Sequence, residues 1–454
     1  MFKGLLGHTL NRLDAVMDYY EWEMKMLEEY LSKELPKYQF SFLVDTFFHL
    51  LIKDKLSDEE TKKKEQLYKK IEPYLYLPPE QPEKEQGVVR YRIINNEQLD
   101  EKGICTDIIA GAKQYRKLID MPAMLSFNTL SLLVTRFEEF LADYLEELFQ
   151  KFPSKYIDKQ SIKFEDISKY ECIDEVRAIL IQQEVEKQMR QDYKSLIKLL
   201  ESSHGMNFCN IEDKLHILYE ISARRNIWVH NSGIVNSTYL GIVRNSNYSM
   251  NERATITHKY LSDTIQCIKI VTISIMLESV KLICKDDVEY YLSRILWAAF
   301  NALKNKNYEL CIYTFGTLKA LDKLPADKKI VSQVNYWIAY IGLHGLDSVK
   351  ADISKWDVTA YDMMFQLAKD TLLENYEQAA KTLEYLYNSK RISENQITTW
   401  PLFETFRKSK EYEMFVQHHS CNFGVQTMAV NEETADSTEC NLFEKKQINS
   451  EGCR

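Results

Sequence analysis

The sequence predicts an all-α protein made of more than one helical unit. Three observations carry that prediction. Glycine and proline are scarce, 13 and 9 among 454 residues, which leaves little punctuation for the many turns of a β-protein. Hydrophobic residues make up 45% and charged residues 28% of the chain, a globular balance rather than a disordered one. Apolar residues recur every three or four positions through most of its length, the spacing of a helix face.

A chain this long exceeds one core, so two or three domains are expected. Residues 1–118 read as an amino-terminal helical region with a connector. Helical periodicity runs through Leu13, Met17, Tyr20, Met24 and Leu27, and again from Phe40 to Leu51. The prolines at 78, 79 and 82 interrupt it, and 76–118 is expected to be a connector with one small hairpin near Val88–Ile94. From Pro122 the signal strengthens: Leu130, Leu133, Val134, Phe137, Phe140, Leu141, Tyr144, Leu145 and Leu148 form one stripe that ends at Pro153. Further helices are expected over 172–202, from about Ile211 to His230, and over 254–284. Residues 119–285 thus read as a four-helix bundle. Residues 286–420 read as paired helices, with turns near Tyr308, Leu346, Tyr376 and Tyr412. Their spacing brackets the roughly 34-residue period of tetratricopeptide-like repeats. Residues 421–454 are polar and read as a disordered tail.

The net charge of −9 argues against a general nucleic-acid coat or an anionic-membrane binder, so any RNA must be held at a locally basic site. The nine cysteines show neither CxxC nor Cys/His ligand spacing, so no zinc module, no disulfide framework and no cofactor is expected. The amino terminus has no signal-peptide pattern, and Ile265–Cys284, the most apolar stretch, carries Lys269, Glu278 and Lys281 and reads as a buried helix. A cytoplasmic protein with no membrane partner is the expectation.

Chemistry concentrates in Arg224-Arg225-Asn226-Ile227-Trp228-Val229-His230, followed by the helix stop Asn231-Ser232-Gly233. Arg-x4-His alone is a weak pattern, and Arg253 to His258 repeats it. Only the first copy has an asparagine after the arginine. Helical spacing places Arg225 on a stripe with Ile211, Leu215, Leu218, Ser222 and Val229, facing other helices. It places Asn226 and His230 one turn apart on the neighbouring side, able to converge on one ligand. RNA brings its own nucleophile, the 2′-hydroxyl, so its cleavage needs a proton carrier and a cation against the phosphorane. Histidine and arginine suit those roles. No carboxylate cluster for Mg²⁺ lies nearby in sequence.

Arg225-Asn226-x3-His230 at the end of the third helix of a four-helix unit resembles the RNxxxH motif of the HEPN superfamily, over roughly residues 120–285. The resemblance implies a metal-independent endoribonuclease with Arg225, Asn226 and His230 as catalytic residues. It also implies a homodimer in which two motifs meet, of the kind found in bacterial toxin and antiviral defence systems. Arg224 would add phosphate attraction, or pair with Glu220 one turn earlier. The carboxy-terminal repeats would bind a protein partner or trigger. Two other readings stand beside it: a non-catalytic dimeric scaffold, and a HEPN subunit regulated by a nucleotidyltransferase partner. Trp228 reads as core or interface, His204 and His418-His419 as surface residues without ligand partners, and Trp297, Trp337, Trp356 and Trp400 as core.

Overall fold

The computed structural model describes residues 4–51, 56–72, 101–157, 170–243, 246–283, 287–321 and 324–419, with Phe2, Lys53, Lys163 and the pairs at 75–76 and 92–93. Side chains 101–107 are not described, and the tail at 421–454 lies outside the described residues. Among the described residues the protein is all-α apart from a two-residue antiparallel ladder, β1 Leu75–Tyr76 with β2 Arg92–Ile93. That ladder contains part of the expected hairpin, and the rest of Val88–Ile94 falls outside the described residues.

Two helices far longer than the rest organise the fold: α1 Leu5–Leu51 and α3 Glu101–Lys151, with the short α2 Asp58–Ile71 between them. They run antiparallel. Phe2 stacks on Tyr144 at 4.6 Å, Arg12 pairs with Glu139 at 2.9 Å, Tyr20 meets Ser126 at 3.2 Å, and Asp45 pairs with Arg116. Here the structure corrects the sequence. The connector ends at Glu101, and α3 passes through Pro122 without stopping, as α1 passes through Pro36. A proline inside a helix loses one hydrogen bond and bends the axis, at roughly 3 kcal/mol. Burying a stripe of large side chains offsets that cost, and a local reading of proline cannot see such packing. Close approach is helped by Gly111, where a methyl would lie 2.6 Å from the Ser41 hydroxyl oxygen.

The boundary at 118/119 therefore falls inside α3, and the amino-terminal region does not form a separate unit. Leu13, Val16, Met17 and Tyr20 of α1 share one core with Leu130, Phe137, Tyr144 and Leu148 of α3. The same core takes in α5 Ile173–Met189, α6 Tyr193–His204, α7 Glu212–Asn231 and α9 His258–Leu282, with α4 Pro153–Tyr156 at its edge. The single helix expected over 172–202 is two, because Asp192 caps α6 by accepting the Ser195 amide at 2.7 Å. Almost every residue of α9 from Leu261 to Val280 is buried, as its composition predicts.

One helical segment, Ile108–Lys151, is long and apolar enough to cross a membrane by length and composition. Three of its charged residues, Arg116, Glu138 and Glu139, are ion-paired to α1 and α7.

The 285/286 division does not separate two cores either. Tyr291, Ile295 and Leu303 of α10 Val288–Lys304, and Leu310 and Phe315 of α11 Tyr308–Lys319, complete the first core. A second core begins within α12 Ala326–His344, at Val334 and Trp337. It is filled by α14 Met363–Leu372 and α15 Tyr376–Asn388, and by Trp400, Phe403, Phe406 and Phe415 further on. The short α13 Lys350–Lys355 and α16 Glu394–Thr399 flank it, and α17 Lys410–His418 closes it. Three helix ends here share one geometry. Lys306, Glu374 and Lys390 take φ of 59°, 60° and 57°. The next amide in each case returns to the carbonyl five residues back: Asn307 to Ala302, Asn375 to Asp370, Arg391 to Leu386. Trp337 and Trp400 are core, Trp356 borders it, and Trp297 instead lines a cleft.

His204 is not a surface residue. Its ring lies 5.0 Å from Phe152, and its Nε2 is 2.6 Å from the Tyr156 hydroxyl. Burial, with Lys155 alongside, pushes its pKa down from 6.5 to about 4. A depressed histidine pKa means that the unfolded chain binds the proton more tightly. His204 therefore costs no stability above pH 6.5 and progressively more as pH falls towards 4. Urea midpoints at pH 7.5 and 4.5 are expected to fall further for the wild type than for His204→Gln; equal falls would refute the assignment.

Candidate active site

The motif lies on α7, whose buried face runs through Leu215, Leu218, Ile221, Arg224 and Ile227. This phase differs by one position from the expected stripe. Val229 is 49% exposed, and Arg224 rather than Arg225 is the inward arginine.

Arg224 is fully committed. Its Nε donates to Glu220 Oε1 at 2.7 Å, Nη1 to the Thr255 carbonyl at 2.8 Å, and Nη2 to the Tyr239 hydroxyl at 3.3 Å. The guanidinium also lies 4.1 Å from the Tyr260 ring centre and 5.1 Å from that of Tyr248. Tyr239 and Tyr260 in turn donate to the two oxygens of Glu220, at 2.7 and 2.8 Å. Burial alone would lower the Arg224 pKa, but Tyr260, Glu220 and Tyr239 raise it above the ordinary arginine value. Burial, reinforced by Glu220, pushes Tyr239 up to about 12. Of the two roles the sequence left open for Arg224, phosphate attraction or pairing with Glu220, the structure shows the pair. The i,i+4 spacing of Glu220 and Arg224 was its one sequence signal.

Arg225 points the other way, towards α3. Its Nη2 donates to Glu138 Oε1 at 2.8 Å, and its Nη1 lies 3.2 Å from Asn226 Oδ1. Glu138 also accepts from the buried Tyr193 hydroxyl at 3.3 Å. Burial raises the Tyr193 pKa well above the usual phenol value, and the Glu138 charge adds to it. The sequence names no acid for Arg225; the packing of α3 against α7 supplies this one. Asn226 and His230 are exposed, one turn apart. Among the described residues His230 makes no hydrogen bond or ion pair.

The end of α7 is built rigidly. Ser232 and Gly233 take φ of 51° and 79°, and Gly233 packs so closely that a methyl there would lie 2.7 Å from the Trp228 ring. Trp228 donates to the Ala254 carbonyl at 2.8 Å, stacks on Phe127 at 5.7 Å, and carries the Arg253 guanidinium at 4.8 Å. The chain after α7 folds back on Glu252–Ala254 through the Ile234–Arg253 bridge before α8 Ser237–Ile242. Replacing Gly233 with alanine meets both a left-handed backbone and the indole, and is expected to cost about 2–3 kcal/mol. Thermal unfolding checks this, and an unchanged Tm would contradict it.

The second Arg-x4-His pair has different surroundings. His258 opens α9, lies 6.0 Å from the Tyr20 ring and is 3.7 Å from Glu21. A separate cleft of about 580 Å³ between α1, α9 and α10, lined by Asp14, Asp18, Glu21, Lys269 and Trp297, contains no motif residue. Cys172, Cys209, Cys267 and Cys311 are free, and burial pushes the Cys267 thiol up to about 12. One cluster escaped sequence reasoning. Glu384 on α15 lies beside both His418 and His419, 34 and 35 residues further along the chain. Comparison with protein families, with curated proteins and with solved structures finds no match.

Proposed function

We propose that the protein is a metal-independent HEPN-type endoribonuclease acting in the cytoplasm as a toxin or antiviral effector. The observation that carries this reading is the end of α7: His230 stands exposed and unoccupied beside Asn226, on a helix whose terminus is held rigid by Trp228 and Gly233. His230 would carry the proton between the 2′-hydroxyl and the leaving 5′-oxygen. Arg225 would face the phosphorane charge, oriented by Asn226 Oδ1. The Arg225–Glu138 pair is not an obstacle. Its side chains are 25% and 34% exposed, so exchanging the carboxylate for a substrate phosphate costs only about 1 kcal/mol.

Arg225 and His230 are five residues apart, about 140° around the helix axis, and so do not converge on one phosphate within a single chain. A homodimer in which each motif completes the other resolves this. Sedimentation equilibrium is expected to show a dimer at micromolar concentration. The carboxy-terminal array would bind a protein partner or trigger. Its tetratricopeptide-like character draws on the helix pair α14–α15, joined by the tight turn at Glu374 and packed together in the second core.

The rival reading, a dimeric scaffold without catalysis, draws on the same Arg225–Glu138 pair, which neutralises the one motif guanidinium not built into the Glu220 cluster. Incubating the full-length protein with RNA in EDTA decides between them. Cleavage leaving 2′,3′-cyclic phosphate ends is expected. A strict requirement for Mg²⁺ or Mn²⁺ would refute the mechanism, and intact RNA under all conditions would leave the scaffold.

A further inference from the structure

We propose that Glu384, His418 and His419 form a binding site for a divalent transition metal, zinc first among them, that staples the last described helix onto the second core. Both imidazoles address the same carboxylate. His418 Nδ1 lies 3.5 Å and His419 Nε2 2.9 Å from Glu384 Oε1, and the ligand atoms of all three residues lie within 4.8 Å of one another. Zinc binds histidine nitrogen and carboxylate oxygen at about 2.0–2.2 Å, which in tetrahedral geometry sets neighbouring ligands about 3.4 Å apart. The observed separations bracket that value, so side-chain rotation closes the site without moving the backbone.

The groups around the three ligands hold them in place. Asn388, one turn after Glu384, donates to Glu384 Oε1 at 3.1 Å and fixes the carboxylate. The His419 ring is held between Tyr387 and Phe415, each 4.8 Å away. Tyr387 is itself anchored by donating to Glu394 at 2.9 Å. Outer contacts of this kind orient metal ligands and raise affinity. A simple His419–Glu384 hydrogen bond would need none of His418, whose Nδ1 nevertheless faces the same carboxylate oxygen at 3.5 Å. His418 is also the exposed member, its side chain 75% accessible, so the site opens to solvent on one side. That leaves an entry path and a fourth coordination position for water. Two imidazoles and one carboxylate suit zinc and its first-row neighbours rather than Mg²⁺ or Ca²⁺, which prefer oxygen.

The site joins α15 to α17 and so couples metal to the docking of the chain's last described helix. It is independent of the ribonuclease reading, which can fail without affecting it.

The test uses the full chain, stripped with chelator and titrated calorimetrically with Zn²⁺ alone. One Zn²⁺ per chain with a Kd of micromolar or tighter is expected, together with slower amide exchange in α17. His418→Ala removes a ligand from an exposed position that contributes nothing to the core. It is expected to weaken binding at least 10-fold and to abolish the zinc-dependent protection of α17, while circular dichroism without metal stays unchanged. Glu384→Gln is expected to do the same with the packing preserved. Co²⁺ substitution should give the visible absorption of a four-coordinate site in the wild type and not in His418→Ala. No Zn²⁺ binding at 100 μM would overturn the proposal, as would Zn²⁺ binding that His418→Ala and Glu384→Gln leave unaltered.

Discussion

Replacing His230 with alanine is expected to lower RNA cleavage by about 10²- to 10⁴-fold and to leave stability within about 0.5 kcal/mol of the wild type. The two halves of that expectation come from the same fact: the imidazole is exposed and holds nothing together. Arg225→Ala should be similarly inactive but slightly less stable, because it frees a half-exposed Glu138. His258→Ala is the matched control. It shares the Arg-x4-His spacing but opens α9 against Tyr20 and Glu21, and should keep most of the activity. A His230→Ala protein that is well folded and still cuts RNA would end the catalytic assignment and leave the scaffold reading standing.

Arg224→Ala is expected to be the most destabilising single change near the motif, by about 3–5 kcal/mol. Removing the guanidinium leaves Glu220 charged in a site where its side chain is only 16% exposed, with two tyrosine hydroxyls as its remaining donors. Arg224→Lys should recover only part of this, since a single ammonium cannot reach Glu220, the Thr255 carbonyl and Tyr239 together or lie flat on Tyr260. The double change with Glu220→Gln should cost less than the sum of the two single changes, because the second no longer strands a charge. Thermal and urea unfolding would measure all three. An Arg224→Ala protein of wild-type stability that had lost RNA affinity would return Arg224 to the substrate-binding role and refute the structural one.

The contrast between neighbouring arginines shows what could be read from the sequence. Periodicity located α7, and Asn231-Ser232-Gly233 marked its end, because a helix stop is written in residues adjacent to it. The buried character of α9 was equally plain, since Ile270–Leu277 is an unbroken run of apolar and small residues. Which arginine faced inward was not legible. The apolar stripe of α7 is interrupted by Glu220 and Arg224, and Arg224 is buried only because Tyr239, Tyr248, Tyr260 and the Thr255 carbonyl converge on it from 15 to 36 positions away. Proline misled for a related reason: Pro122 is a local helix-breaking signal, and the partner that overrides it, α1, lies about a hundred residues earlier. Glu138 beside Arg225, and Glu384 beside His418 and His419, belong to the same class of long-range pairings that no spacing rule contains.

The α1–α3 pair also bears on how the molecule comes apart. Between Tyr20 and Val44 only Leu31 of α1 is buried, and the far end is held by a small cluster of Val44, Phe47, Leu67 and Ile71. Tyr19, Trp22, Met26 and Tyr30 along that stretch are largely exposed. An arm with so little of its surface covered has few contacts to lose on opening, so it forms a cooperative unit of its own below the global stability. Its amides should exchange with solvent by sub-global opening while α7 and α9 exchange only through complete unfolding. The motif is thus anchored where the two longest helices enter the main core, with Trp228 on Phe127 and Arg225 on Glu138, and the sparsely covered arm begins just beyond the Tyr20–Ser126 contact.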